Sequence, residues 1–284
     1  MKKSGFVTLI GRSNVGKSTL VNALVGTKVA IVTPKPQTTR RPVRGIVNDA
    51  RGQIVFVDTP GFFLKIDPLS RRLNDIAREQ TEGIEAVVYV VDPTREIGPE
   101  EDAIQKRLRQ LTVPIILAIN KSDLPVEERP HLKAMRAIDV GQIATLEISA
   151  LNHQDLNRLV DILFEQLPDG EPFYPEHQLT DVGSKEWLAE LIREKAFMRL
   201  QREIPYTVHV NIVSDETRED GLRSIEAEIR TTEERYKKIL IGAEGSMIKR
   251  IGSDARKELE AATGQKIYLH LEVDVDRDWQ KRFV

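Results

Sequence analysis

The loop at residues 11–18 constrains the fold of this chain more than any other feature of its sequence. Two glycines flank four residues and are followed by a lysine and a serine, a pattern typical of phosphate-binding loops. Glycine lets the backbone turn tightly, so that successive N–H groups can point at phosphate oxygens. An apolar run at 6–10 and a helical pattern at 16–25 flank the loop, which disfavours a chance match in an ordinary strand-turn-helix. The predicted phosphate-binding residues are Gly11, Arg12, Ser13, Asn14, Val15, Gly16, Lys17, Ser18 and Thr19.

A second segment predicts a magnesium site. Lys17 would neutralise the phosphates, and the Ser18 hydroxyl would ligate the metal. Asp58 follows an apolar run at 54–57 and would hold the same metal through water, while Gly61 would offer its N–H to the terminal phosphate. An Asp-x-x-Gly sequence alone is often an ordinary turn, but its distance from Ser18 favours the metal site. The residues predicted to line the nucleotide here are Asp58, Thr59, Pro60, Gly61 and Phe62.

Two further segments predict a preference for guanine. The sequence Asn-Lys-Ser-Asp ends the apolar run at 114–119. Asp123 can accept hydrogen bonds from the ring N–H and exocyclic amine of guanine, while the stem of Lys121 lies against the base. Adenine lacks that pair of donors and would leave a buried Asp123 unpaired, which favours GTP over ATP. The predicted base-binding residues are Asn120, Lys121, Ser122 and Asp123, with backbone N–H groups of Ser149, Ala150 and Leu151.

A polar segment between the first two motifs predicts a nucleotide-dependent switch. A threonine in this long connection could reach magnesium only when a γ-phosphate is present. The alternative is a solvated loop. We predict that Thr38 and Thr39 contact the nucleotide and that Thr39 ligates the metal, so that residues near 28–44 become ordered with GTP. The predicted catalytic residues are Lys17, Thr39 and Gly61.

Hydrophobic patterning predicts two domains. Short apolar runs alternate with helical segments near 16–25, 69–81, 100–111 and 154–166, which indicates a mostly parallel sheet covered by helices on both faces. Residues 168–180 contain three prolines and no periodicity, as in a linker. The order after the linker is α-β-β-α-α-β. We therefore predict an α/β G domain at 1–167 and a smaller α+β domain at 181–284.

The second domain contains a Gly-x-x-Gly turn within an apolar and basic segment. This segment resembles the signature of a KH domain, in which the turn clamps about four nucleotides of RNA backbone. The chain as a whole has a net charge of −2, so RNA binding must depend on this local patch. Glu244 departs from the basic residues common in such turns and would weaken binding; a folded domain that binds no RNA is the alternative. The predicted RNA-binding residues are Lys237, Lys238, Ile241, Gly242, Ala243, Glu244, Gly245, Lys249 and Arg250.

Taken together, these motifs resemble the Era family of translation-factor-type GTPases. The likeness rests on the loop Gly-x-x-Asn-x-Gly-Lys-Ser, the Gln-Thr-Thr-Arg segment, Asp-Thr-Pro-Gly-Phe and the C-terminal Gly-x-x-Gly turn, and it covers nearly the whole chain. It implies a P-loop G domain followed by a type II KH domain, with GTP or GDP and Mg²⁺ bound. It further implies binding to 16S ribosomal RNA near its 3′ end and a role in assembling the small ribosomal subunit.

Hydrolysis is expected to be slow. Ras-like enzymes place a glutamine after the glycine of the magnesium motif, but Phe62 occupies that position here and cannot orient water by hydrogen bonding. No arginine finger is evident, and one contributes about 10³–10⁵ in rate. Asn14 leaves two alternatives: it resembles an asparagine that coordinates K⁺ in relatives, or it stabilises the loop turn.

A different class of function is a signalling or membrane-associated switch whose C-terminal domain binds a protein. The basic cluster around the glycine turn favours RNA, and a chain without cysteine or an evident lipid anchor argues against membrane attachment. An ATPase is a third alternative. We expect a cytoplasmic monomer and leave open a peripheral association with the inner face of the cell membrane.

Overall fold

The computed structural model describes residues 1–36, 38–60 and 83–282. Two compact units account for the contacts among them. The first unit contains residues 1–30 and 36–181, and the second contains residues 31–35 and 182–284. The second unit is therefore discontinuous in sequence, because a five-residue segment from the first fifth of the chain belongs to it.

A six-stranded sheet forms the centre of the first unit. Its strand order is β2-β3-β1-β4-β5-β6, and every neighbouring pair is parallel except β2 with β3. The predicted mostly parallel sheet is confirmed. The prediction missed β2, whose apolar residues are interrupted by polar ones and which lies at the sheet edge. The strands are β1 Lys3–Ile10, β2 Val43–Asp49, β3 Gly52–Asp58, β4 Ala86–Val91, β5 Ile115–Ile119 and β6 Ala144–Glu147.

Helices cover both faces of this sheet. One apolar cluster joins α1 and α4 to one face, and a second cluster joins α2 and α3 to the other. Strands β3, β4 and β5 are buried along their whole length, as expected for a sheet covered twice. The predicted helix at 69–81 lies outside the described residues. The described helices are α1 Lys17–Val25, α2 Pro99–Leu108, α3 Leu132–Arg136 and α4 Leu156–Gln166.

The segment predicted as a linker packs on the first unit up to Asp181. The buried side chain of Gln53 accepts hydrogen bonds from the N–H groups of Phe173 and Tyr174 at 2.8 and 3.0 Å. Farther along, the N–H of Ile46 on β2 donates to the carbonyl of Leu179 at 2.9 Å. These bonds use polar groups of β2 and β3 that would otherwise be buried without partners.

The second unit has the element order predicted for it. Three helices pack on one face of a sheet in which β8 pairs antiparallel with β7 and parallel with β9. Buried residues of all these elements form one core. The elements are α5 Ser184–Arg199, β7 His209–Thr217, β8 Arg223–Thr231, α6 Glu234–Ile241, α7 Ser246–Thr263 and β9 Ile267–Val275, followed by a short α8 at Trp279–Arg282. Of the described helices in either unit, none is long and apolar enough to cross a membrane.

Candidate functional site

The predicted nucleotide motifs meet at the carboxyl ends of the parallel strands in the six-stranded sheet. These strands end side by side, because the register pairs Leu9 with Asp58 and Val91 with Ile119. The phosphate-binding loop follows β1, Asp58 ends β3, and Asn120 follows β5. Open parallel sheets bind ligands at the carboxyl ends of their strands.

The phosphate-binding loop folds around the ammonium group of Lys17. The Lys17 Nζ donates to the carbonyls of Gly11 at 3.0 Å and of Arg12 at 2.9 Å. Asn14 and Gly16 adopt left-handed backbone angles, with φ of 64° and 101°, which curl the loop before α1 begins. A triphosphate with its terminal oxygens at the mouth of this loop would meet Lys17 and the N-terminal end of the helix together.

Three oxygen-bearing side chains converge where magnesium is predicted. The Ser18 hydroxyl donates to Asp58 Oδ2 at 2.5 Å and lies 3.1 Å from the Thr39 hydroxyl. The Thr39 hydroxyl lies 3.4 Å from the same carboxylate oxygen. Asp58 is fully buried, and among the described residues its Oδ1 has no hydrogen-bond partner. A hard cation would satisfy this carboxylate, and hydroxyl and carboxylate oxygens are the ligands Mg²⁺ prefers. The donor set therefore fits magnesium.

Burial perturbs both charged groups of this site. It lowers the pKa of Lys17 to about 8, although the charge of Asp58 opposes the shift. It also raises the pKa of Asp58, against the opposing effects of Lys17 and of hydrogen bonds from Ser18 and Thr39. Desolvation disfavours each charged form. A bound polyphosphate would favour the charged form of Lys17 and a bound metal that of Asp58, so the site is suited to a ligand that brings both charges with it.

Asn120 joins the phosphate end of the site to the base end. Its Nδ2 donates to the carbonyl of Val15 at 2.9 Å, and its Oδ1 accepts the N–H of Ala150 at 3.0 Å. A Cβ atom on Gly16 would lie only 2.2 Å from the same Nδ2, so the loop needs glycine there. Asn120 was predicted as a nucleotide contact, but in this structure its side chain cross-links three segments of the protein.

The predicted guanine-binding carboxylate is held by a neighbouring hydroxyl. Ser149 Oγ donates to Asp123 Oδ1 at 2.5 Å and accepts the N–H of Asn152 at 3.0 Å. Ser122 is fixed by a bond from its N–H to the carbonyl of Ile148. The N–H of Ala150, predicted to contact the base, is already donated to Asn120. Leu151 is 70% exposed beside it.

Other predicted residues of the nucleotide site are located as follows. The Thr59 hydroxyl donates to the carbonyl of Leu9, and Thr38 is buried. Arg12 does not point its charge at the phosphates here, because its guanidinium pairs with Glu100 and Glu101 at the start of α2 at 2.7 and 2.9 Å. The predictions for Gly61 and Phe62 fall outside the described residues.

The structure adds residues that the sequence did not single out. Arg95 Nη1 donates to the carbonyl of Ser13 at 2.9 Å and so supports the phosphate-binding loop. Asp92 follows the carboxyl end of β4 and pairs with Lys121 at 2.5 Å. One signal could have found Asp92, since a polar residue directly after a buried parallel strand lies at the ligand-binding edge.

In the second unit the Gly-x-x-Gly turn joins α6 to α7. Gly242, Glu244 and Gly245 adopt left-handed backbone conformations with φ of 74°, 51° and 76°. A Cβ on Gly242 would lie 2.7 Å from the backbone nitrogen of Met247, so the turn needs glycine at this position. Ala243 and Glu244 are exposed at its tip.

A groove runs from this turn between α7 and β9. Lys249, Gly252, Ser253 and Arg256 lie along one face of α7, at the helical spacing i, i+3, i+4 and i+7. The groove is lined by Ile248, Lys249, Gly252, Ser253, Arg256, Leu269 and Leu271. Lys249 belongs to the residues predicted to bind RNA. Arg256 was not singled out from the sequence, although the helical spacing from Lys249 could have indicated it.

The remaining predicted basic residues lie around the same turn. Lys238, Lys249 and Arg250 are exposed, whereas Lys237 Nζ lies 3.5 Å from a carboxylate oxygen of Asp274. Ile241 is half-buried at the end of α6. A basic and apolar groove beside a glycine turn suits a strand that carries both phosphates and bases.

Comparison with known proteins gives matches for both units. Residues 6–121 match the model of a 50S ribosome-binding GTPase family, and residues 203–280 match the KH domain family. The chain is 40% identical over 280 residues to GTPase Era of Halothermothrix orenii, covering 99% of this chain and 95% of the relative. It is 41% identical over 284 residues to GTPase Era of Trichlorobacter lovleyi, with the same coverage.

Two solved structures share the fold of the chain. One is Era in complex with MgGDPNP and nucleotides 1506–1542 of 16S ribosomal RNA, with a TM-score of 0.92 and 36% identity. The other is an Aquifex aeolicus Era variant bound to GDP·AlF4⁻, with a TM-score of 0.91 and 36% identity. Each alignment covers 99% of this chain and 96% of the solved chain.

Proposed function

The chain belongs to the Era family of GTPases, and from this premise we propose that it is a slow, nucleotide-controlled switch that binds 16S ribosomal RNA near its 3′ end and assists assembly of the small ribosomal subunit. As a GTPase it hydrolyses GTP to GDP and phosphate. The observation that carries the proposal is the basic, glycine-turn groove of the second unit on the same chain as the phosphate-binding loop. A relative of the same fold was crystallised with a 16S fragment.

The chemistry of the first unit explains a slow reaction. Lys17 and the loop amides stabilise charge on the phosphates, and magnesium held by Ser18, Thr39 and Asp58 would supply further positive charge there. Phe62 stands where a water-orienting glutamine would be in Ras-like enzymes. Arg12 is paired with two carboxylates and is not placed to act as a finger. We therefore expect turnover far below that of a GTPase with an arginine finger.

Two roles are proposed for Asn14. Its left-handed φ of 64° supports stabilisation of the loop turn, since asparagine tolerates this conformation better than most residues. A potassium ion near Asn14 would instead replace the charge of the missing finger. Hydrolysis rates in KCl and NaCl at equal ionic strength separate the alternatives, because only the potassium alternative requires a faster reaction in KCl that the Asn14→Ala variant loses.

Coupling of the nucleotide to the second unit is supported by the segment that precedes Thr39. Residues 31–35 belong to the second unit, where the N–H of Val32 donates to Glu194 Oε2 at 3.0 Å. Lys35 Nζ donates to the carbonyls of Phe197 and Leu200 at the end of α5. Movement of Thr39 towards or away from a γ-phosphate would therefore pull on a segment anchored to the RNA-binding unit.

Limited trypsin digestion tests this switch. The side chain of Arg40 is only 2% exposed, so cleavage after it requires the segment to open. We expect slower cleavage at Arg40 with a non-hydrolysable GTP analogue and Mg²⁺ than with GDP. Equal rates with the two nucleotides would refute a γ-phosphate-dependent switch.

RNA binding is tested by filter binding to a fragment from the 3′ end of 16S RNA across a range of salt concentrations. We expect Lys249→Glu and Arg256→Glu each to weaken binding and to reduce its salt dependence, because each removes a phosphate contact. Both side chains are exposed, so the fold should survive. Lys133→Glu, an exposed lysine of the first unit, serves as the matched control.

The competing function is a signalling or membrane-associated switch whose second unit binds a protein. Absence of RNA binding at low salt with either nucleotide would favour it. We propose a cytoplasmic monomer, since subunit assembly takes place in the cytoplasm. Vesicle flotation tests whether the protein also associates peripherally with membranes.

Depletion of the protein tests the assembly role. It should cause precursors of the small subunit to accumulate in sucrose gradients, and expression of a Lys249→Glu variant should not reverse this accumulation.

A further inference from the structure

A buried carboxylate lies beside the predicted guanine site. Asp92 directly follows β4 and is only 2% exposed. Its Oδ1 accepts the N–H and the hydroxyl of Thr94 at 3.0 and 2.7 Å. Its Oδ2 accepts Lys121 Nζ at 2.5 Å. A buried carboxylate is costly unless it is paired with charge and hydrogen-bonded, and here its charge partner is a lysine of the base-binding motif.

The sheet fixes where this pair forms. Strands β4 and β5 pair Val91 with Ile119, and the N–H of Asn120 donates to the carbonyl of Val91 at 2.9 Å. Lys121 then adopts a left-handed φ of 64°, and its ammonium reaches back to Asp92. The backbone and the carboxylate together fix both ends of the Lys121 side chain, which is 34% exposed.

A fixed lysine stem matters for a flat ligand. A free lysine side chain loses conformational freedom when it is ordered, and a ligand that orders it upon binding loses a corresponding part of its affinity. The pair with Asp92 orders Lys121 before any ligand arrives. The stem can then present its methylene groups to a purine face without further cost.

We propose that Asp92 is a positioning residue for guanine nucleotides, acting through Lys121 by holding its stem in the orientation that covers the base. The proposal rests on the proposed placement of the base against Lys121. The two oxygens of Asp92 have separable roles, because Oδ1 holds the turn at Thr94 while Oδ2 holds the lysine. A purely structural role would involve the turn alone and would leave nucleotide affinity to Lys121 and Asp123.

The experiment is a double-mutant cycle on the full chain with a fluorescent GDP. Asp92→Asn keeps the shape and the oxygen that Thr94 needs, but it removes the charge that holds Lys121. We expect Asp92→Asn and Lys121→Met each to weaken GDP binding about tenfold, mainly through faster dissociation. The double variant should bind no more weakly than Lys121→Met alone, since Asp92 acts only through the lysine.

Two further measurements separate positioning from folding and from base reading. Asp92→Asn should weaken GDP and IDP by the same factor, because the exocyclic amine that distinguishes them is assigned to Asp123. The matched control is Asp215→Asn, which removes a half-buried carboxylate paired with Arg223 at 2.7 Å in the second unit. Its nucleotide affinity should equal that of the wild type, whatever the change in thermal stability.

Three other outcomes would each refute a specific step of the proposal. Unchanged GDP affinity in Asp92→Asn beside a weakened Lys121→Met refutes the role of Asp92 alone. Losses that add in the double variant show that Asp92 acts independently of the lysine and also refute it. Unchanged affinity in both single variants refutes the placement of the base on Lys121, and with it the proposal.

Discussion

Replacing Asn120 with alanine should destabilise the nucleotide-free protein, although the residue belongs to a ligand-binding motif. The side chain is 4% exposed and bonds the carbonyl of Val15 at 2.9 Å and the N–H of Ala150 at 3.0 Å. Alanine leaves both of these backbone groups buried without their partners. Each unsatisfied group costs about 1–3 kcal/mol, so the free energy of unfolding should fall by about 2–6 kcal/mol for the two groups together.

Urea denaturation without nucleotide measures this loss. With a denaturant slope of about 2 kcal/mol/M, in the middle of the usual range for urea, the midpoint should fall by about 1–3 M. Far-UV circular dichroism is the appropriate probe because it follows both units. Tryptophan fluorescence follows the second unit only, since the two tryptophans of the chain are Trp187 and Trp279.

Two comparisons make this prediction specific. Asn211→Ala removes an exposed amide from β7 and should change the free energy of unfolding by less than about 0.5 kcal/mol. Asp123→Ala removes a half-buried predicted base contact and should reduce nucleotide affinity much more than stability. A midpoint for Asn120→Ala equal to that of the wild type would refute the cross-linking role that we derive from the geometry.

Three further predictions concern charge and metal binding. Because burial lowers the pKa of Lys17 to about 8, part of the free protein is uncharged at this lysine above pH 7, and polyphosphate favours the charged form. GDP binding near pH 8 should therefore take up protons, and the affinity for GDP should fall as the pH rises through 8. Calorimetry in buffers of different ionisation enthalpy measures this uptake. Equal apparent binding enthalpies in all the buffers would contradict it. Thr39→Ala should weaken a Mg²⁺-bound GTP analogue about tenfold and leave GDP affinity nearly unchanged, as measured with fluorescent nucleotides; equal losses for both would exclude a γ-phosphate-dependent ligand. Glu244→Lys should strengthen RNA binding and steepen the plot of log affinity against log salt by about 0.7, whereas Glu272→Lys, the same charge change on an exposed position of β9, should not.

The elements that sequence patterns predicted well are those whose burial is uniform along the chain. Strands β3, β4 and β5 are apolar throughout because helices cover both faces, so their runs are continuous and easily recognised. Strand β2 was missed for the opposite reason. It lies at the edge of the sheet, with half-buried and exposed residues interrupting its apolar ones. Its place in the sheet depends on β3 and on the segment at 168–180 rather than on its own pattern.

The candidate site was predictable wherever one motif carries its own chemistry. Ser18 and Asp58 were assigned to one metal from their motifs, and the structure brings their oxygens to 2.5 Å. The supporting pairs were not predictable in the same way. Asp92 is separated from Lys121 by 28 intervening residues, and no local pattern marks two residues that meet only through the pairing of β4 with β5. The groove residues Arg256 and Leu271 likewise meet only after α7 packs on β9.

The insertion of residues 31–35 into the second unit limits how this protein can be dissected. A fragment that starts at Val182 would lack Ile31, which is buried in that core, and Lys35, whose ammonium neutralises the carbonyl end of α5. The complementary fragment, ending at Asp181, would expose Ile31 to solvent. Separately expressed halves are therefore expected to aggregate or to bind RNA more weakly than the intact chain. Mixing the two fragments need not restore RNA binding, because residues 31–35 reach the second unit as part of one continuous polypeptide.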